Sequence, residues 1–222
     1  MGTRSKEQAT IVTQRTRLRR MYRSKLQQKL VGLLVVGGII AYAGYMAHAE
    51  KDVDPKSYQP LLTVIGAAES NNNYNAYFGN ADNTSLRFTD MTVAAVQQWQ
   101  REYIQQGNAS SAVGRYQIIN TTLNSLLSEL RIDTHQPFSP EMQDRLAIAL
   151  LERRGAVHYA SSKISREEFA ANLAKEWAGL PRIIGENPTA SYYEGDGLNK
   201  SRAQIGDVLH AIGMIQLKDS VR

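Results

Sequence analysis

Pro60-Leu61-Leu62-Thr63-Val64-Ile65-Gly66-Ala67-Ala68-Glu69-Ser70, followed at once by Asn71-Asn72-Asn73, is the stretch on which the fold turns. Apolar residues at 61, 62, 64, 65, 67 and 68 predict a buried helix, and Pro60 suits its first turn, where an amide hydrogen is not needed. The three asparagines stop it. The helix therefore delivers one carboxylate, Glu69, to its C-terminal end beside a polar turn. Partial burial there would raise the carboxyl pKa and keep its proton available for transfer. On this stretch alone, Glu69 reads more simply as a solvated end residue.

Working downstream, residues 74–90 mix Tyr77, Phe78 and Phe88 with Gly79, Asn80, Asp82 and Asn83, a turn-rich composition that predicts a small β-hairpin or lobe. Val93, Val96, Trp99 and Tyr103 recur at helical steps, and Gly107 closes that helix. Ser139-Pro140-Glu141-Met142 reads as an N-cap followed by proline in the first turn, with Arg153-Arg154-Gly155 at the far end. Ser165 with Glu168 makes a capping box for a helix through Trp177, ended by Gly179 and Pro181. A Gly-, Pro- and Tyr-rich loop runs to about Asn199, and an amphipathic helix near Arg202 to Ile212 closes the chain. No internal repeat appears. The expected fold class is α+β, mainly helical, in one domain over residues 58–222.

The chain has 222 residues, 42% hydrophobic and 21% charged, with 2 Trp, 11 Tyr and 4 Phe. That length allows one domain with an appendage, and the aromatic content excludes a disordered chain. There is no cysteine, which excludes disulfides, thiolate metal sites and a cysteine nucleophile. His48, His135, His158 and His210 have no metal-ligand spacing, so neither a metal nor a cofactor is expected.

Upstream, residues 1–29 carry nine Lys or Arg against Glu7 alone, a local +8, which leaves −3 for the rest of a chain whose total is +5. The basic excess therefore belongs to the tail, and no specific nucleic-acid binding is expected of the folded part. Residues 30–47 are 18 consecutive positions without a charge, enough for a transmembrane helix or signal-anchor over 30–48. Cations on one flank and Glu50, Asp52 and Asp54 on the other place the N-terminus inside and the domain on the exported side. Two alternatives stay open: cleavage after Ala47-His48-Ala49, and a releasable anchor weakened by Gly32, Gly37, Gly38 and Gly44. Residues 49–57 read as a linker.

Glu69-Ser70, a polar hairpin and helix, then Gly114-Arg115-Tyr116-Gln117-Ile118 resemble the lysozyme-like superfamily that cuts peptidoglycan, in the pattern shared by lytic transglycosylases. Tyr74-Asn75, Phe88-Thr89-Asp90, Phe138-Ser139-Pro140 with Gln143-Asp144, Glu152-Arg153-Arg154-Gly155 and Trp177-Ala178-Gly179-Leu180-Pro181 follow in the order seen in the family of the phage lambda endolysin. The resemblance runs from about residue 58 to 212. It implies a lysozyme-like fold with a cleft between a small β-lobe and a helical lobe, and Glu69 as catalytic acid at the cleft base. It further implies that Ser70, Tyr116 and Gln117 bind the glycan. Tyr192 or Tyr193 would supply an aromatic near the acid, although the loop after Pro181 departs from the family's length. Ser70 is a second departure, since the lambda enzyme has glycine there.

Retaining and inverting glycosidases need two carboxylates about 5 to 9.5 Å apart, whereas a transglycosylase manages with one. Hydrolytic phage lysozymes place an Asp shortly after the catalytic Glu, and that position is Phe78 here. Asp82 and Asp90 are the candidate second acids, with Asp90 more simply a cap for the helix after Thr92. Arg115 is a candidate for a stem-peptide carboxylate or for a structural ion pair. Trp99 and Trp177 are expected in the core. The expected activity is lytic transglycosylation of peptidoglycan strands, for host lysis or wall penetration. The alternatives are a muramidase of the same fold and a non-catalytic, membrane-anchored glycan-binding virion protein. Other phage membrane or virion proteins are the further partners this topology allows.

Overall fold

The computed structural model describes residues 52–197 and 199–218. The basic tail at 1–29, the apolar run at 30–48 and the first part of the 49–57 linker lie outside them. Among the described residues, no helix is long and apolar enough to cross a membrane.

Seven α-helices are found among the described residues: α1 (Gln59–Ser70), α2 (Val93–Gln105), α3 (Asn120–Glu129), α4 (Pro140–Arg153), α5 (Ala156–Ala160), α6 (Arg166–Ala174) and α7 (Ile205–Ile212). The opening stretch behaves as its pattern dictates. Leu61, Leu62 and Ile65 are fully buried, and Asn71 in the left-handed conformation (φ 53°) ends α1. Helix α4 has the caps expected of it: Ser139 Oγ accepts from the Met142 amide at 3.3 Å, and Leu146, Ala147, Leu150 and Leu151 face the core. Helix α1 packs on α7, α7 on α6, and α3 lies between α2 and α4. The ends of the domain are tied together where Val53 bridges Leu217.

The small lobe departs from expectation. Residues 74–90 contain no extended hairpin, only isolated bridges such as Tyr77 with Asn80 and Tyr77 with Val113, and a 3₁₀ turn at Phe88–Asp90. Asparagine side chains take the backbone groups that a strand ladder would have used. Asn83 Nδ2 donates to the carbonyls of Asn75 and Leu86 at 2.6 Å, and Asn73 Nδ2 donates to those of Ala81 and Asn83 at 2.9 and 2.8 Å. Thr89 N–H donates to Asn75 Oδ1 at 3.0 Å. Behind this mesh Tyr77, Phe88, Trp99 and Tyr103 pack edge-to-face and stacked, with centroids 4.5 to 6.2 Å apart, and fasten the lobe to α2.

Three boundaries also differ. Asp90 does not cap α2; Thr92 does, accepting from the Ala95 amide at 3.2 Å. Helix α6 ends at Ala174, short of Trp177, and α7 begins at Ile205 rather than Arg202. In both places the backbone is diverted to one point. The Gly179 amide donates to Glu69, and the amides of Arg202 and Ala203 donate to the Gly179 carbonyl at 2.8 and 3.1 Å.

Candidate active site

A cleft of about 800 Å³ runs between the lobe and the helices, a size suited to a ligand of several rings. Its floor is the end of α1, from Ala68 to Asn71. One wall is the lobe turn from Tyr77 to Ala81, and the other carries Glu176, Trp177, Ala178, Tyr193 and Arg202.

Glu69 is half-buried on this floor. Burial pushes its carboxyl up from the ordinary 4.5 to about 7, against the opposing pull of the Gly179 amide and the Arg202 charge. The Gly179 N–H donates to Oε1 at 2.7 Å, so Oε2 is the oxygen left to carry the proton. A side chain at residue 179 would force its neighbours to shift: a Cβ there would stand 2.9 Å from both the Ala68 carbonyl oxygen and Glu69 Oε1. Arg202 reaches from the loop before α7 and donates from Nη1 to the Ala68 carbonyl at 3.1 Å. Its charge thus stands over the last turn of α1, where carbonyl ends are unpaired.

The Gly114–Gln117 turn is fastened to α1 from below. Ser70 is 1% exposed, and its hydroxyl donates to the Arg115 carbonyl at 2.7 Å. It lies in the cleft floor and ties the α1 backbone to that of the Gly114–Gln117 turn. Tyr116, by contrast, stands outside the lining, which corrects its expected place among the sugar-binding groups. It is 1% exposed and donates to Asp144 at 2.6 Å, so its ring lies under the cleft. Arg115 is buried too, held by Asn72, Tyr74 and Tyr116 and 3.5 Å from Asp144, so it is a structural ion pair and cannot meet a stem peptide. Gln143 completes the hub, accepting from the Arg115 amide at 2.9 Å and donating to the Tyr74 and Phe138 carbonyls. Gly114 is required above it, because its φ is +75° and a Cβ would collide with the Gln143 amide.

Gln117 does line the cleft, with φ +47° and its amide donating to the Gly114 carbonyl at 2.9 Å. Tyr193 lines it as well, donating to the Lys175 carbonyl at 2.7 Å, whereas Tyr192 packs edge-on against Tyr193 and stands outside the lining. Asp82 and Asp90 are both exposed and outside the cleft; Asp82 accepts from Asn71 at 2.9 Å, and Asp90 pairs with Arg87 at 2.6 Å. The other carboxylate in the wall is Glu176, which sequence reasoning missed. Arg154 holds its Oε2 from two nitrogens, at 2.8 and 2.6 Å. Trp177 is core, as expected, but its edge also reaches the cleft, and its Nε1 donates to the Tyr116 carbonyl at 3.3 Å. Gly179 is legible as a helix terminator and as part of the Trp177–Pro181 motif, and Arg202 as the start of the last helix, but neither carries a signal for the site.

Among the described residues, no group of three or more His, Cys, Asp or Glu is placed to hold a metal ion. Residues 59–195 match the family model described as Endolysin, a span from the first residue of α1 to just past Tyr193 in the cleft wall. Neither the curated proteins nor the solved structures contain a match. Because the matched span covers more than half of the chain and includes the Glu69 floor, the lobe and Gly179, this chain belongs to the endolysin family of peptidoglycan-degrading enzymes.

Proposed function

We propose that the chain is a lytic transglycosylase that cuts the bond between N-acetylmuramic acid and N-acetylglucosamine with Glu69 as its single acid and base. The observation that carries this is one carboxyl on the cleft floor poised at about 7, with no free second carboxylate among the described lining residues. A group with that pKa is present in both forms near neutrality, as consecutive acid and base steps require.

In the first step the Glu69 proton passes from Oε2 to the bridging glycosidic oxygen, and the anomeric carbon–oxygen bond breaks. The N-acetylglucosamine leaves with a new hydroxyl, and positive charge builds on the muramic ring. In the second step the Glu69 carboxylate takes the proton of the muramic 6-hydroxyl. The freed oxygen closes on the anomeric carbon, giving a 1,6-anhydro end and restoring the acid. No water is consumed. Gln117 and the Tyr193 ring hold the sugars along the wall, and Gly179 and Arg202 fix the carboxyl.

A muramidase would need a second group to hold or replace water. Glu176 is the candidate in the wall, and its commitment to Arg154 argues against that role. In this reading residues 1–29 and 30–47 tether the domain on the exported side, where its substrate lies. The test is a digest of purified peptidoglycan with wild type and Glu69→Gln, analysed by mass spectrometry. Anhydro-muramic products from wild type and none from the variant support the proposal, and reducing-end products, heavier by one water, would overturn it.

A further inference from the structure

A second groove of about 490 Å³ opens along the seam between α2 and α3. It is continuous with the cleft, since Ala109, Ser110 and Ile119 line both. Its base is rigid: the buried Gln100 donates to the carbonyls of Ser111 and Ile118 at 2.8 Å each and accepts from Asn120 at 3.1 Å. Ile104 and Ile119 line it at 44% and 41% exposure, so two large aliphatic side chains meet in one depression instead of being scattered over the surface. Arg101 is the charged residue in the lining and is exposed. Among the described residues, no ion pair engages it. Ser110 Oγ accepts from the Ala112 amide at 3.2 Å, which leaves its own proton to give.

A cation, a free hydroxyl donor and an aliphatic step match carboxylates and methyl groups, not a sugar ring, which favours aromatic faces. The glycan strand carries such a chemistry as a branch. Each muramic residue bears, through its lactyl ether, a short peptide of alanines and carboxylate-bearing residues. We infer that the α2–α3 groove binds the acidic stem peptide of a strand lying in the cleft, with Arg101 taking a stem carboxylate and Ile104 with Ile119 receiving alanine methyls. This rests on the peptidoglycan-cleaving reading of the cleft. It also reassigns the carboxylate-binding role from Arg115, which is buried, to a cation on the surface.

The test compares two substrates: intact peptidoglycan, and the same strands stripped of stem peptides by an amidase. Wild type is expected to cleave the intact strands with a KM about three- to tenfold lower, the range of one solvent-accessible charge contact with some apolar burial. Arg101→Gln and Ile104→Ser are each expected to raise KM on intact strands towards the stripped value and to leave stripped strands unaffected. Arg101→Lys is expected to recover part of the difference. A purely structural role would depress cleavage of both substrates together. Equal loss on both, or no change on intact strands, overturns the stem-peptide assignment while leaving the cleft reading in place. A wild type inactive on both substrates overturns the cleft reading, and this inference with it.

Discussion

Replacing Glu69 with glutamine is expected to stabilise the folded protein at alkaline pH while abolishing its activity. The Glu69 carboxyl rises from 4.5 to about 7 on folding, caused first by burial. Below pH 4.5 folded and unfolded chains both hold the proton, and the group has no pH-dependent effect. Between these values the unfolded chain releases its proton first, so it binds fewer protons than the folded one and stability falls as pH rises. Above the folded value both forms are ionised and the native state carries the whole cost of a desolvated charge. At about 1.4 kcal/mol for each unit, that cost is about 3.5 kcal/mol, an upper figure because the side chain keeps some contact with solvent. Glutamine retains an oxygen for the Gly179 amide, so the 2.7 Å hydrogen bond is preserved. Urea unfolding of both proteins across the range from acid to alkaline gives the difference directly, and every other titrating group cancels. The variant's advantage is expected to grow from near zero at about pH 4 to about 3 kcal/mol at about pH 8. A difference that stays constant with pH, or that grows towards acid, refutes the raised carboxyl.

Gly179→Ala is expected to cost about 1 to 3 kcal/mol of stability, read by thermal unfolding, and to lower turnover more than about tenfold, since the new Cβ drives against Glu69 Oε1 and the Ala68 carbonyl. Arg202→Gln removes a charge that holds the Glu69 carboxyl down. The alkaline limb of the pH–rate profile is therefore expected to move to higher pH, and a limb that moves to lower pH contradicts the arrangement. Asp144→Asn strands Arg115 beside Tyr74 and Tyr116, and a loss of roughly 2 to 4 kcal/mol is expected in denaturant titration, below the fully buried limit because both partners retain some exposure.

What the residues disclose in advance depends on how locally each feature is determined. Helix α1 and the Ser139 cap of α4 follow from apolar spacing and capping chemistry within a few positions, and both are legible. The lobe at 74–90 has the composition of a hairpin. Asn73, Asn75 and Asn83 find backbone partners inside the lobe itself, while the pairing of Tyr77 is taken by Val113, far along the chain. Tyr116 stands next to Gln117, yet the left-handed φ of Gln117 turns the two side chains to opposite sides, one under the floor and one into the cleft. Gly179 and Arg202 lie 110 and 133 positions after Glu69, and only the packing of α7 on α1 brings them to it. Arg202 also falls outside the span matched by the family, so no motif marks it.

Whether one carboxyl cleaves the strand without water is read from digestion of peptidoglycan in heavy-oxygen water, followed by mass spectrometry of the muramic ends. Anhydro ends with no incorporated label are expected from wild type and none from Glu69→Gln. Labelled reducing ends from wild type would contradict cleavage without water.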